Sequence, residues 1–270
     1  MNIRELAGLE IDEYELVSII GQGGMSAVYK AYQEELDRNV AIKILSDDLA
    51  RDPNYIKRFQ GEAKMSASLE HAHIVPVYDF GQATMHGQDY PYMVMRLMVG
   101  GSLEKRLEQG ALPLEEVVRI ISWLAPALDK VHRENIIHRD LKPGNILIDQ
   151  SGEPHIADFG LARRETAHDV TVTRSGALIG TPAYMSPEQA RGDTRAISSQ
   201  SDVYSMGVIL YLMLTGQRPF KATESRTLLY NIQTIEPKPP RKVNPAIKRD
   251  LQTICVKAMS KAPGNRYATA

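Results

Sequence analysis

Apolar and polar positions alternate through much of the first third of the chain. Tyr14 to Ile20 shows the two-residue period over part of its length, a glycine cluster interrupts it, and Val28 to Tyr32 and Asn39 to Leu45 resume β-prone patterns. A hairpin and a third strand are expected. Ile56, Phe59, Ala63, Ala67 and Leu69 fall at roughly helical spacing across Asn54 to Leu69, ahead of a turn at His71-Ala72-His73. Val75 to Phe80 and Tyr92 to Leu97 then complete a five-stranded, mostly antiparallel sheet with one helix. Beyond Gly100-Gly101, a candidate hinge, helical periods run over Leu114 to His132, Val203 to Leu214 and Ile247 to Met259. A small β-rich lobe therefore precedes a larger helical one. Pro126 lies inside the first of these helices, where its missing N–H predicts a kink or a one-turn adjustment. Glu236-Pro237-Lys238-Pro239-Pro240 reads as a short extended connection.

Composition supports a packed core and narrows the classes of function. Of 270 residues, 43% are hydrophobic and 24% charged, and the formal charge of -1 supplies no global basic field for nucleic acid or an anionic bilayer. Cys255 is the only cysteine, so an internal disulfide and a cysteine-rich zinc site are excluded. In Ile254-Cys255-Val256 it reads as a packed thiol, and a reducing, cytoplasmic location is expected. The longest apolar run, Val208 to Leu214, is far below the roughly 20 residues that span a bilayer, and no signal-peptide core follows Met1. No membrane contact is expected of this segment itself. Arg266-Tyr267-Ala268-Thr269-Ala270 looks about to enter a helix, so the chain reads as part of a longer protein whose continuation could hold a linker, an anchor or a sensor.

The first chemical signal is Gly21-Gln22-Gly23-Gly24-Met25-Ser26-Ala27-Val28. Glycines let a backbone turn approach phosphate oxygens, and small Ser26 can occupy the third crowded position. A dinucleotide fingerprint would open a helix here, whereas Val28 to Tyr32 continues as a strand. The phosphate loop of nucleotide triphosphatases is absent too, since no Gly-Lys-Ser/Thr follows at its spacing. What remains is a glycine-rich flap between strands. In Val40-Ala41-Ile42-Lys43, alternation sends Ala41 and Lys43 to one face, where alanine leaves room for a flat ring and lysine can meet its phosphates. Glu62, 19 residues later on the expected helix, could fix that ammonium.

His138-Arg139-Asp140-Leu141-Lys142-Pro143-Gly144-Asn145 is the most informative stretch. Asp140 can accept and orient a hydroxyl proton, Lys142 can neutralise a transferring phosphoryl group, and Asn145 offers an oxygen to a divalent metal. His138 reads as a core histidine that holds the loop through a buried contact. Asp158-Phe159-Gly160 follows with a second metal ligand, an apolar anchor and a flexible residue. The histidines show no His-x-x-x-His helix spacing with a third ligand.

Taken in series, these motifs resemble those of the eukaryotic-like (Hanks-type) protein kinases. Gly21 to Ser26, His73-Ile74-Val75-Pro76-Val77-Tyr78-Asp79-Phe80-Gly81 and Ser186-Pro187-Glu188-Gln189-Ala190 resemble the bacterial serine/threonine kinases in particular, and the likeness covers about Tyr14 to Tyr267. It implies an α+β, bilobal protein-kinase fold with ATP in the cleft. Residues 1–13 would be an N-terminal extension, about 14–96 the N-lobe, about 97–101 the hinge and about 102–270 the C-lobe, its last helix truncated. Ile20, Val28, Ala41 and Leu147 would sandwich the adenine, Met95 would guard the deep pocket, and Arg96 to Met98 would read the adenine edge. Lys43 would pair with Glu62 and the α- and β-phosphates, while Asn145 and Asp158 would hold Mg²⁺ or Mn²⁺.

The resemblance further implies that Thr171 and Thr173, among Thr166, Thr171, Thr173, Ser175 and Thr181, are phosphorylation switches, with Arg139 as a partner for the phosphate. Thr181 would face Asp140 and Lys142 and favour serine or threonine acceptors. Glu188 and Arg266 would form a buried ion pair that anchors the activation segment, and Asp202 would cap its helix or hold the catalytic-loop backbone. Ser26 in place of the third glycine and Ser186 in place of alanine are mild departures. The implied function is transfer of the ATP γ-phosphoryl group to serine or threonine of proteins, with autophosphorylation and a possible homodimer through the N-lobe. The alternative is a catalytically silent pseudokinase that binds nucleotide or partners.

Overall fold

The computed structural model describes residues 3, 5–85, 87–159 and 182–270. The chain divides into two compact units, Met1–Gly100 with Asp149–Ser151, and Gly101–Ile148 with Gly152–Ala270. The first is an antiparallel sheet with one long helix and the second is mainly helical, which is the expected bilobal kinase architecture.

In the first unit, β1 (Glu10–Ile11), β2 (Tyr14–Gln22), β3 (Ser26–Gln33), β4 (Arg38–Leu45), β5 (Val77–Met85) and β6 (Gln88–Arg96) form one sheet in the order β1-β2-β3-β4-β6-β5. The sixth strand beyond the five expected is β1, whose two residues are too short to show a period. Its register, Ile11 opposite Tyr14, comes from a tight reversal onto β2. Tyr29, Ile42 and Val94 are fully buried on one face and share a core with Ile3, Leu6 and Ile11. The Tyr29 hydroxyl donates to the Ile3 carbonyl at 2.7 Å and accepts from the Leu6 amide at 3.2 Å, which fixes the N-terminal segment over that face. Each buried aliphatic side chain contributes about 1.5–3 kcal/mol relative to exposure.

The other face faces different demands. Register places Val28 and Met93 on either side of Lys43, and Lys30 and Met95 on either side of Ala41, so these side chains share one surface. Helix α1 (Pro53–Ala67) packs against β5 and β6, with the Phe59 and Phe80 ring centroids 6.0 Å apart. It begins where Asp52 accepts a hydrogen bond from the Asn54 amide at 2.9 Å and Pro53 supplies a preset first turn. Its buried stripe is Phe59, Glu62, Ala63 and Ser66. A carboxylate within that stripe is the position that packing alone does not explain.

The second unit contains α2 (Leu103–Leu107), α3 (Leu114–Arg133), the ribbon β7 (Ile146–Ile148) and β8 (Pro154–Ile156), then α4 (Pro187–Ala190), α5 (Ser199–Thr215), α6 (Ser225–Thr234), α7 (Pro240–Val243) and α8 (Arg249–Ala258). Past its polar first turn, helix α5 is mostly apolar on all sides and buried along most of its length, so it forms the centre of this unit. Its approach to α8 needs a missing side chain, since a Cβ at Gly207 would lie 2.8 Å from the Ala258 Cβ. Helix α3 continues across Pro126, whose missing N–H removes one bond from the ladder. Its Ile120, Leu124, Ala127, Leu128 and Val131 are buried at helical spacing. Helix α6 lies outside the helical stretches expected from the sequence. Among the described residues no helix is long and apolar enough to cross a membrane.

Candidate active site

The first unit presents a loop, a lysine and a carboxylate. Between β2 and β3 the chain turns through Gly23, Gly24 and Met25, and is held where the Gly23 amide donates to the Ser26 carbonyl at 2.9 Å. The Met25 carbonyl accepts from the Ser46 amide at 2.9 Å, tying the loop to the end of β4. A Cβ added at Gly24 would meet nothing within 4 Å, and neither Gly23 nor Gly24 has a positive φ. The fold itself does not require these glycines, so their absent side chains leave room for a ligand. Gln22 is exposed, Gly21 and Ser26 are half-buried, and Ala27 is buried in the sheet.

Lys43 on β4 and Glu62 on α1 are both buried, and Nζ approaches Oε1 at 3.5 Å. Removing two charges from water is costly unless they attract each other or a ligand, so this placement marks a candidate functional site. On the Ala41 and Lys43 surface, Val28 is half-buried and Met93 and Met95 are buried. Ile20 is 51% exposed, and Met98 is buried beyond the end of β6. The Arg96 amide donates to the Pro76 carbonyl at 3.0 Å, and its guanidinium lies 3.7 Å from Asp149.

In the second unit, the segment around Asp140 is held from several sides. The Asp202 carboxylate, in the first turn of α5, accepts from the His138 amide at 2.8 Å and the Arg139 amide at 2.9 Å, and contacts His132 Nε2 at 2.8 Å. Of the two uses expected for Asp202, its side chain serves the loop, while Ser198 takes the cap position and its amide bonds Ser201 Oγ at 3.2 Å. His138 is fully buried; its Nε2–H donates to the Ala157 carbonyl at 3.0 Å and its Nδ1 accepts from the Asp140 amide at 3.4 Å. Its ring lies 5.1 Å from that of buried Phe159. Arg139 (φ 66°) and Asp158 (φ 56°) adopt left-handed conformations that cost non-glycine residues about 1–3 kcal/mol each. The bonds from Asp202 offset that cost at Arg139.

Lys142 Nζ donates to the Asp140 carboxylate at 2.8 Å. Asn145 Nδ2 donates to the Asp140 carbonyl at 2.9 Å and reaches its carboxylate at 3.4 Å. The Asn145 backbone carbonyl accepts from the Ala157 amide at 2.9 Å, which ties Asn145 to the residue before Asp158. With Nδ2 committed, Asn145 Oδ1 is the amide atom left to a cation, for which the Asp158 carboxylate would be the second hard oxygen. That donor set suits Mg²⁺ or Mn²⁺. Among the described residues no group of three or more His, Cys, Asp or Glu could enclose a metal. Leu147 is half-buried on β7, opposite His155.

Among the described residues the deepest ion pair joins Glu188 and Arg266, both with fully buried side chains. Arg266 donates to both Glu188 oxygens at 2.7 and 2.8 Å and to the carbonyls of Ser260, Gln200 and Lys261 at 2.8, 2.8 and 3.0 Å. All five guanidinium N–H groups are thereby used. Burial pushes the Glu188 carboxyl up, but hydrogen bonds from Arg266 and then Ser201 overcome it and leave the pKa lowered.

Gly160, Thr171, Thr173 and Thr181, with Thr166 and Ser175, lie outside the described residues. Sequence reasoning overlooked two supports. Ser186 caps α4, and its amide donates to Gln189 Oε1 at 2.9 Å, while Gln189 Nε2 donates to the Arg139 carbonyl at 2.7 Å. The serine in place of alanine thus completes a capping box whose glutamine steadies the catalytic segment; Ser-x-x-Gln was the signal. His132, the other, carries no such signal.

The profile of the protein kinase domain matches residues 14–270. Over 260 residues the chain is 42% identical to the serine/threonine-protein kinase PknB of Mycobacterium leprae and 41% identical to PknB of Mycobacterium tuberculosis, covering 96% of this chain and 41% of each relative. A probable serine/threonine-protein kinase of Streptomyces coelicolor is 39% identical over 95% of this chain and 38% of that protein. The chain therefore spans about two fifths of the length of these curated relatives. The crystal structure of the Mycobacterium tuberculosis PknI kinase domain has a TM-score of 0.72 over 97% of this chain and 93% of that one, at 24% identity, a likeness of fold. With nearly its whole length matched, this chain belongs to the protein kinase domain family and is a relative of the bacterial PknB kinases.

Proposed function

We propose that the chain is an active serine/threonine protein kinase domain that uses ATP and a divalent cation. The observation that carries this reading is the Asp140 carboxylate, bonded to Lys142 at 2.8 Å on a left-handed segment held by Asp202. In this reading Asp140 orients the acceptor hydroxyl and takes its proton. The hydroxyl oxygen bonds the γ-phosphorus as the bond from that phosphorus to the β–γ bridging oxygen breaks, and ADP leaves. Lys142 offsets charge on the moving phosphoryl group, and Lys43, steadied by Glu62, holds the α- and β-phosphates. Asn145 and Asp158 would hold the cation, which when bound would neutralise phosphate charge. The glycine loop covers the phosphates; Ile20, Val28, Ala41 and Leu147 enclose the adenine, with Met95 at the deep pocket and Arg96 to Met98 along its edge.

Thr171 and Thr173 are the autophosphorylation sites of this reading, with Arg139 as phosphate partner, and Thr181 selects the acceptor. The domain works in the cytoplasm and dimerises through its first unit. The test is incubation with Mg²⁺ and labelled ATP beside Asp140→Asn, followed by mass-spectrometric mapping. Label on Thr171 or Thr173 that vanishes in the variant is expected. Tight ATP binding without transfer to itself or a generic acceptor, in Mg²⁺ and in Mn²⁺, would leave a pseudokinase. Light scattering across micromolar concentrations, with and without ATP, reads the dimer; a strict monomer removes it.

A further inference from the structure

Four cations converge on a cavity of the second unit that the phosphotransfer chemistry does not use. Helix α5 ends at Thr215, and Gly216, at φ 67°, reverses the chain into the loop that carries Arg218 and Lys221. The extended run Pro237-Lys238-Pro239, with Pro239 at φ -53° and ψ 134°, then enters α7 and brings Lys238 and Lys242 to the same cavity. The cavity measures about 380 Å³, Pro219 and Val243 contribute to its wall, and no Asp or Glu lines it. All four cationic residues are exposed, and among the described residues no ion pair joins any of them to a carboxylate.

In a chain of net charge -1, four positive charges around one concavity are a local excess that repels itself and attracts a multivalent anion. The planar Arg218 fork matches phosphate oxygens in pairs, while three ammonium groups supply charge, that of Lys221 within 3.4 Å of Gln217 Oε1. The volume exceeds that of a lone phosphate, and Pro219 and Val243 offer apolar surface to an adjoining side chain. We infer that this cavity binds a phosphoserine or phosphothreonine within a protein segment, and so retains phosphorylated substrates apart from the site of transfer. The choice of a phosphorylated segment rests on the kinase reading, because such groups are that reaction's product; binding itself needs no turnover.

The test is fluorescence anisotropy of a labelled peptide with one phosphothreonine, beside its unphosphorylated form, on the domain and on the double variant Lys238→Glu, Lys242→Glu. Both residues are exposed and outside the transfer machinery; Arg218 is retained because it also lies over the Tyr184 ring at 5.6 Å. The domain is expected to prefer the phosphorylated peptide about tenfold, to lose that preference in the variant, and to release the peptide to millimolar inorganic phosphate. Equal affinity for the two peptides, or a preference that survives charge reversal, overturns the proposal. Sedimentation with phosphatidylserine vesicles that the variant abolishes, without peptide discrimination, also overturns it and assigns the patch to a membrane. Phosphorylation of a generic acceptor, measured in parallel, is expected to be unchanged in the variant. Its absence from the unmodified domain defeats the kinase reading alone.

Discussion

Two buried ion pairs, one in each unit, are built to different standards. Glu188 and Arg266 meet through two bonds of 2.7 and 2.8 Å, with every guanidinium N–H occupied and both side chains sealed from water. Lys43 and Glu62 are nearly as buried, yet their direct approach is 3.5 Å, beyond the usual length of a charge-assisted bond. The first arrangement has the geometry of permanent structure. The second has that of a pair that can tighten, or share its ammonium with phosphate, at small cost. Equal burial therefore does not mean equal purpose; the closeness of the direct contact separates the two.

The largest break in this comparison is Arg266→Ala, which strands the Glu188 carboxylate in the interior. A loss of about 3–5 kcal/mol is expected, read as a lowered midpoint in thermal or urea unfolding. Next comes Lys43→Met, which is expected to reduce phosphoryl transfer by about 10²–10³-fold while lowering the unfolding midpoint less than Arg266→Ala does. If the two variants lost equal stability, the distinction drawn above would fail. The smallest effect is on pH dependence. Because the folded Glu188 pKa is lowered, its pair contributes fully above the ordinary carboxylate value, about 4.5, and the contribution is lost as pH falls through the folded value. Below that ordinary value the unfolded chain binds the extra proton, so stability should fall with pH more steeply in the parent than in Glu188→Gln.

Much of the arrangement was legible because it rests on short periods. Strand alternation sufficed to put Ala41 and Lys43 on one face, and the register of β3, β4 and β6 places Val28, Met93 and Met95 beside them. The helical period put Glu62 on the expected helix, though not within its buried stripe. A strand of two residues has no period, so β1 and the packing of Ile3 and Leu6 could not be read. Motif identity alone also has limits, since Asp-Phe-Gly occurs twice. At Asp79-Phe80-Gly81 the glycine serves packing, because a Cβ would overlap the Tyr92 ring, and the Asp79 carboxylate accepts from the Phe80 amide at 2.7 Å. At Asp158 the backbone is left-handed beside His138 and Asn145. Context, not the tripeptide, distinguishes a strand from a candidate metal ligand. The Ser-x-x-Gln spacing marks the cap of α4, but the contacts of Gln189 with Arg139 and of His132 with Asp202 are long-range and depend on how α4, α3 and α5 pack.

Asp202 has a consequence for motion. Its carboxylate accepts the amide protons of His138 and Arg139, so two amides in a connecting segment are fastened to the most deeply buried helix of the unit. Loop amides ordinarily exchange with solvent through local fraying. These two can open only when the start of α5 yields, and their hydrogen exchange should follow the slow, cooperative opening of that helix. In dynamic terms the residues before Asp140 belong to the core.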